Sequence, residues 1–179
     1  RRELLSLIFD DFRVLPSEFE ESEVPTDLPP VRHVEYSATM KARDVARKHS
    51  GSLIIGADTI VVVRDAILGK PTDAADARRM LRGLSGKTHE VYTGLTVILG
   101  DMERTGVECT NVTFRKLTDE MISRYISSGE PMDKAGAYAI QGRASVLIKS
   151  IRGCYFNVVG LPIYRLSTML EEFGVPVIG

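Results

Sequence analysis

The sequence predicts an α/β protein with a mixed β-sheet flanked by helices, and three observations support that class. Amphipathic helical segments alternate along the chain with short apolar strands. Residues 52–63 form two short apolar runs around a single acid, which is typical of central strands buried on both faces. Residues 88–99 and 105–116 are rich in Val, Thr, Tyr and Phe and flank a Gly-Asp turn, which indicates a long antiparallel hairpin. A hairpin inside an alternating series predicts a mixed sheet.

The first part of the chain predicts two helices, a short strand and a loop. A one-sided apolar stripe predicts a helix over residues 2–10, and a short strand is expected over residues 12–15. Residues 17–35 are acidic and rich in proline, which indicates an exposed loop. A second helix is expected to begin near Ser37, as its N-cap, and to end at Gly51.

The helices and strands after residue 63 are predicted from helix-capping residues, glycines at element ends and the spacing of apolar residues. Thr118 is expected to cap a helix, and Pro162 to begin the last one. The predicted order after the apolar strands is a helix at 72–86, the hairpin, a helix at 118–129, a polar loop through Gln141, two strands at 143–160 and the last helix.

Composition restricts the classes of function. A chain of 179 residues fits one domain, or two small lobes that share a cleft. The formal net charge is -1, so binding of nucleic acid through bulk charge is not expected, and an anionic ligand needs a local cluster of cations. The two cysteines have no CxxC spacing, which favours a reducing, cytoplasmic setting over a disulfide framework. No apolar run reaches the roughly 18 residues of a membrane span, and no signal peptide is visible.

Asp58 is the most informative residue. It is the only charged residue between Leu53 and Val63, a segment that otherwise predicts buried strands. A carboxylate in such a place costs several kcal/mol unless it is paired or bound to a metal ion, which favours a functional site. The alternative is a turn aspartate that caps its own backbone, helped by Gly56.

Several other charged residues are candidate site residues, and each also has a simple structural explanation. Lys70 lies just before a predicted helix N-terminus, where backbone amides favour anions, although most lysines are simply solvated. Arg1 and Arg2 at a helix start oppose the helix dipole, which suggests a bound anion; the alternative is a frayed terminus. Glu21 belongs to an acidic loop and Lys41 to a helix, and each is most simply an exposed charge.

Residues 129–142 form a long connection between predicted elements, with three glycines and many small residues. Long ordered connections in compact domains are often functional. Tyr138 could present a ring face to a nucleobase and Gln141 an amide, while packing of Tyr138 and simple exposure of Gln141 are the alternatives.

Taken in order along the chain, these segments resemble the Maf (septum formation inhibitor) family. The segments that carry the resemblance are Arg1-Arg2-Glu3-Leu4-Leu5, Pro16-Ser17 with Glu21, Lys41-Ala42, Gly56-Ala57-Asp58-Thr59-Ile60-Val61, Leu68-Gly69-Lys70-Pro71, Leu84-Ser85-Gly86, His89 with Tyr92-Thr93-Gly94, Asp133-Lys134-Ala135-Gly136-Ala137-Tyr138-Ala139-Ile140-Gln141-Gly142 and Asn157-Val158-Val159-Gly160-Leu161-Pro162. The resemblance covers essentially the whole chain, so we expect a single Maf domain over residues 1–179.

The resemblance implies a fold related to inosine-triphosphate pyrophosphatases, with two lobes around a deep cleft and often a homodimer. It also implies a divalent metal ion (Mg²⁺, Mn²⁺ or Co²⁺), hydrolysis between the α and β phosphates, and a link to septum formation. The family's site residues match Arg1, Glu21, Lys41, Asp58, Lys70 and Gln141. Family members begin with a strand and a Ser-x-Ser-Pro-Arg turn, so Arg1 is expected to be the second arginine of a shortened start.

The expected reaction is hydrolysis of dTTP or UTP to the monophosphate and pyrophosphate. Arg1, Lys41 and Lys70 would neutralise the phosphates, Glu21 and Asp58 would hold the metal ion, and Asp58 would be the general base. The amide of Gln141 matches the pairing edge of uracil or thymine. Two alternatives remain at this point: a house-cleaning pyrophosphatase for non-standard purine or methylated nucleotides, and a nucleotide-binding division regulator with little turnover.

Overall fold

The computed structural model describes residues 1–177 and confirms the α/β class. Five strands form one sheet in the order β2-β1-β3-β4-β5, and the β1/β2 and β4/β5 pairs are antiparallel. The strands are β1 (Ile54–Val63), β2 (Ala66–Leu68), β3 (Thr88–Leu99), β4 (Met102–Phe114) and β5 (Ile148–Arg152). The helices are α1 (Arg2–Leu5), α2 (Pro30–Lys48), α3 (Ala74–Leu84), α4 (Asp119–Ser127), α5 (Tyr155–Val159) and α6 (Ile163–Glu172).

The elements with local start signals are where the sequence predicts them. The side chain of Asp73 accepts a hydrogen bond from the Asp76 amide at 2.7 Å and begins α3. Thr118 accepts one from the Met121 amide at 3.2 Å and begins α4. The hairpin of β3 and β4 turns at Gly100-Asp101, and Pro162 is the N-cap residue of α6.

The N-terminal predictions need three corrections. The first helix, α1, has only four residues, and residues 12–15 are not a strand. Helix α2 begins at Pro30, seven residues before the predicted start, because proline is well suited to the first helical turn. Ser37 is therefore a buried residue inside α2 rather than its N-cap, and the loop predicted over 17–35 is shorter.

Two further segments differ from the prediction. Residues 54–63 form one continuous strand instead of two short strands interrupted by Asp58. Of residues 143–160, only Ile148–Arg152 is a strand. The segment before it is a 3₁₀ turn, Arg143–Leu147, and the segment after it is the short helix α5.

The chain divides into two compact units, with boundaries inside β1, β3 and β4 and a fourth at the end of α5. Unit 1 comprises Arg1–Thr59, Thr93–Glu108 and the described residues from Gly160 onward. Its buried residues include Val34, Ala38 and Ala42 of α2 and Leu166, Met169 and Leu170 of α6.

Unit 2 comprises Ile60–Tyr92 and Cys109–Val159. Its core joins α3 and α4 to strand residues and to the segment after α4, through a cluster that includes Leu81, Leu84, Phe114, Ile122 and Tyr138. Within residues 1–177, no helix combines the length and the apolar character that crossing a membrane requires. The single Maf domain over 1–179 stays a prediction.

Candidate active site

Asp58 lies in the middle of β1, in the part of the strand that belongs to unit 1. The residue is only 6% exposed. Its carboxylate oxygen Oδ1 accepts a hydrogen bond from the Lys41 ammonium at 2.6 Å, so the buried charge is paired. Because the backbone of Asp58 is extended strand, the alternative of a turn aspartate does not describe it. The carboxylate is therefore paired, as its place in an apolar strand requires.

Close packing of α2 on the sheet places Lys41 beside Asp58. A Cβ added to Gly56 of β1 would lie 2.5 Å from the Ala38 carbonyl oxygen and 2.7 Å from Ala42 Cβ. On β3, a Cβ added to Gly94 would collide with the Val34 carbonyl. Contacts this close need glycine on the strands and small residues on the helix. Lys41 follows Ala38 by three residues on α2, one place before the buried Ala42, and this position brings its ammonium to β1.

Glu21 reaches the same ammonium from the preceding loop. Its carboxylate lies 3.3 Å from Lys41 Nζ and its side chain is 67% exposed, so it is the solvent-facing member of the trio. The loop is held against α2 by Asp44, which accepts hydrogen bonds from Ser17 Oγ at 3.1 Å and from the Glu18 amide at 2.8 Å. These hydrogen bonds, the Glu18 amide first, lower the pKa of Asp44 against the opposing effect of burial.

Arg1 is anchored to the same part of unit 1. Its guanidinium donates to the carbonyls of Gly160 and Ala57, each at 2.9 Å, and to Thr59 Oγ1 at 3.0 Å. Arg1 is exposed as a whole residue, but its guanidinium lies against these oxygens. Burial of the guanidinium among these oxygens lowers the pKa of Arg1, and the charges of Asp58 and Glu21 oppose this shift. The structure therefore brings together four of the predicted site residues: Arg1, Glu21, Lys41 and Asp58.

Lys70 belongs to unit 2, where it is exposed just before α3. The neighbouring Gly69 carbonyl accepts a hydrogen bond from the Gly136 amide at 3.0 Å, which joins this segment to the connection at 129–142. The hydrogen bond from Lys134 is the main cause that lowers the pKa of Asp133, and the charge of Lys70 adds to it.

Tyr138 and Gln141 also belong to unit 2 and differ in exposure. Tyr138 is buried, its ring packs edge-to-face with Phe114 and His89, and its hydroxyl lies 2.8 Å from His89 Nε2. This geometry matches the packing alternative rather than a ring face offered to a base. Burial lowers the pKa of His89 to about 4, so its imidazole is neutral at pH 7. Gln141 is exposed.

Comparison with known proteins identifies the family. The family model described as "Maf-like protein" matches residues 1–173. The chain belongs to the Maf-like family.

Three relatives of this Maf-like chain are each named dTTP/UTP pyrophosphatase. The one from Clostridium botulinum (strain Kyoto / Type A2) is 47% identical over 98% of this chain and 93% of its own length. The one from Symbiobacterium thermophilum is 49% identical over 99% of this chain and 91% of its own length. The one from Moorella thermoacetica is 49% identical over the whole of this chain and 93% of its own length.

The donor set of this Maf-like protein fits one kind of metal site. Among residues 1–177, no group of three or more His, Cys, Asp or Glu side chains could hold an ion. Glu21 and Asp58 supply two carboxylates, both in contact with Lys41. Mg²⁺ is commonly held by one or two carboxylates together with substrate phosphates and water. The residues present fit an ion that arrives with a polyphosphate.

Sequence reasoning missed the hydroxyls beside the acid. Thr59 Oγ1 lies 2.9 Å from Thr93 Oγ1 as well as accepting from Arg1, so the two threonines support the Arg1 contact. The signal available was their position, because Thr59 directly follows Asp58 and Thr93 lies in the Tyr92-Thr93-Gly94 motif. The sequence also gave no signal that Glu130 contacts the connection at residues 129–142.

Proposed function

We propose that this chain is a nucleoside triphosphate pyrophosphatase that hydrolyses dTTP and UTP to the monophosphate and pyrophosphate. The observation that carries the proposal is the buried Asp58 paired with Lys41 at 2.6 Å, with Glu21 and Arg1 beside it. A carboxylate can accept a proton from an attacking water, and cations beside it can hold the polyphosphate that the water attacks. The names of the relatives support the same substrates.

The proposed roles follow from charge and exposure. Asp58 accepts the proton of the water that attacks the α-phosphorus, and Lys41 holds the carboxylate in place and attracts the phosphates. Arg1 and the exposed Lys70 add positive charge for a ligand that carries about four negative charges. Glu21 and Asp58 would hold a divalent cation (Mg²⁺, Mn²⁺ or Co²⁺). Such a cation would neutralise phosphate charge and make bound water more acidic.

The choice of base is assigned to Gln141. Its exposed amide can donate to O4 and accept from N3–H of uracil or thymine at the same time. Guanine presents two adjacent donors, which suit a carboxylate better than an amide. Cytosine is not excluded by hydrogen bonding, because the amide can flip to match it. We propose dTTP and UTP as preferred substrates, CTP as a weaker one and purine nucleotides as poor ones. The homodimer, the cytoplasmic setting, the absence of nucleic-acid binding and the link to septum formation stay predictions.

A nucleotide panel with Mg²⁺ or Mn²⁺ tests the function through the products, separated by chromatography. We expect monophosphate plus pyrophosphate; diphosphate plus orthophosphate would refute the cleavage site. Faster turnover of inosine, xanthosine or methylated guanosine triphosphates than of UTP would favour a house-cleaning enzyme. Nucleotide binding without release of pyrophosphate would favour a regulator.

The matched variants are Asp58→Asn and Asp101→Asn, which make the same change in the buried strand and in the exposed hairpin turn. We expect Asp58→Asn to fold normally and to lower kcat by about 10²-fold or more, because it removes the proposed base. Asp101→Asn should keep the kcat of the unmodified chain. Near-normal turnover by the Asp58 variant would dismiss Asp58 as the base.

A further inference from the structure

One carboxylate closes the connection at residues 129–142, which carries Gln141. Glu130, at its start, accepts hydrogen bonds from the Tyr125 hydroxyl at 2.9 Å and the Arg143 amide at 2.9 Å. It accepts a third from the Ala144 amide at 3.3 Å. Glu130 therefore binds the backbone immediately after Gly142 to the end of α4.

Tyr125 extends this contact to the other side of Gln141. Its side chain is buried, and its hydroxyl accepts a hydrogen bond from the Ala139 amide at 3.3 Å while donating to Glu130. The backbone is thus held at Ala139 on one side of Gln141 and at Arg143 and Ala144 on the other. Three residues remain between these anchors, so the anchors restrict where the Gln141 amide can lie.

Gly142 makes the contact possible. A Cβ at this position would collide with the carboxylate of Glu130, so the carboxylate packs directly against the residue that follows Gln141. The buried Tyr138, with its hydroxyl 2.8 Å from His89, provides a separate anchor just before Ala139. The two anchors differ in kind, since Tyr138 is held by ring packing with Phe114 and His89 and Glu130 by hydrogen bonds.

The charge state of Glu130 suits this task. Burial raises its pKa, but the hydrogen bonds from Arg143, Tyr125 and Ala144 outweigh burial, and the net shift is downward. The ionised carboxylate is a pure acceptor, whereas the amide of glutamine would offer one acceptor and one donor group. Glu130→Gln should therefore lose an anchor while keeping the volume of the side chain.

We propose that Glu130 is a positioning residue that, with Tyr125, sets the location of the backbone that carries Gln141 and thereby the preference for uracil over the larger base guanine. This inference rests on the proposed function, in which Gln141 contacts the base. It assigns Glu130 no role in the bond-breaking step, because its carboxylate oxygens are already occupied by donors of the protein.

The experiment compares UTP with GTP in the unmodified chain and in Glu130→Gln, Tyr125→Phe, Gln141→Ala and the Glu130→Gln/Gln141→Ala double variant. We expect Glu130→Gln to raise KM for UTP and to lower the UTP/GTP ratio of kcat/KM about tenfold, with kcat for UTP within about threefold. In the Gln141→Ala background the same change should leave the ratio unaltered. Glu120→Gln, an identical change at an exposed α4 residue, should leave all constants unchanged.

The result that overturns the proposal is an unchanged UTP/GTP ratio in both Glu130→Gln and Tyr125→Phe, or an equal loss with and without Gln141. Tyr125→Phe removes only a hydroxyl group. If Glu130→Gln does not fold, the proposal is tested with Tyr125→Phe instead. Dissociation constants for the α,β-methylene analogues of UTP and GTP are measured in parallel. If the unmodified chain binds these analogues but does not cleave UTP, the proposed function fails while the positioning proposal is still decided by the binding ratio. If it binds neither analogue, or binds both equally, the positioning proposal fails too.

Discussion

The contact between Lys41 and Asp58 joins two charges at a place with little water. The Asp58 side chain is 8% exposed and the Lys41 side chain 19%, so neither charge has full hydration. Such a pair adds little net stability, but removal of Lys41 leaves the more buried carboxylate without its hydrogen-bonded cation. Neutralising Asp58 is less costly, because Lys41 keeps Glu21 at 3.3 Å. The pair therefore ties the stability of unit 1 to the same residues that the proposed chemistry needs.

Lys41→Met should reveal this dependence. It leaves a buried carboxylate without its cation, so we expect the free energy of unfolding to fall by about 3–5 kcal/mol in urea titrations. Adding Asp58→Asn should restore at least half of the loss, because the remaining charge is removed. The control is Lys48→Met, whose partner Glu18 is exposed, and it should cost less than about 1 kcal/mol. Similar losses in the two single variants would contradict the importance of burial.

At the residue scale, sequence predicted Asp58 better than its partner. A lone acid in an apolar segment can be recognised from the sequence alone, because the cost of burying its charge does not depend on the details of the fold. Lys41 looks like any exposed helix lysine, since its role depends on where α2 packs. Tyr138 was ambiguous for the same reason: the sequence cannot tell a buried ring from one that faces a ligand.

Helix α2 is the element that organises unit 1, because it carries Lys41 and packs with almost no side chain between it and the sheet. Gly56 and Gly94 on adjacent strands provide the space, and Val34, Ala38 and Ala42 provide the small apolar face. A side chain on either strand glycine would push the helix outward. It would also move the ammonium of Lys41 away from Asp58.

Gly94→Ala should therefore destabilise the fold strongly. The new methyl group would meet the backbone of α2, which cannot move aside as a flexible side chain can, so we expect a loss of about 3 kcal/mol or more, or failure to fold. The matched change is Gly83→Ala inside α3, where nothing lies within 4 Å of the added Cβ. That variant should gain about 0.5–1 kcal/mol from helix propensity. Thermal and urea unfolding measure both, and a tolerated Gly94→Ala would refute the close packing.

The element predictions succeeded where a local signal exists and were wrong where packing decides. Asp73 and Thr118 cap their helices through their own side chains, and the hairpin turn is marked by Gly100-Asp101. The start of α2 was missed because Pro29-Pro30 in an acidic segment resembles a loop. Residues 155–159 form a helix although their aromatic and β-branched composition favours a strand, which shows tertiary context overriding propensity.

At the scale of the molecule, positive and negative charges nearly balance, so any attraction for an anion comes from local groups of cations. A net charge of -1 cannot attract a polyphosphate over a distance, so the proposed anion site depends on particular cations. The α/β class followed from the alternation of patterns along the chain. Two lobes were expected from the family resemblance, but the positions of the boundaries between the two units were not predicted, because no change in composition marks a point in the middle of a strand.

The pH dependence of global stability should report the buried imidazole of His89. Burial lowers its pKa from 6.5 to about 4 in the folded chain, whereas the unfolded chain keeps the ordinary value. Between these two values the unfolded state binds a proton that the folded state does not. Acidification through this window therefore removes stability, by at most about 1.4 kcal/mol per pH unit, and above pH 6.5 this contribution no longer changes with pH.

Urea unfolding of the unmodified chain and of His89→Gln, from about pH 7.5 down to about pH 5, isolates this effect. The variant should be less stable at neutral pH, because it loses the ring contacts with Phe114 and Tyr138. Its free energy of unfolding should nevertheless fall less steeply on acidification. His33, His49 and the carboxylates are common to both proteins, so their contributions cancel in the difference between the two slopes. Equal pH slopes of the two free energies of unfolding would show that His89 takes up its proton equally in the folded and unfolded chain. The assignment of His89 as a buried neutral imidazole would then be wrong.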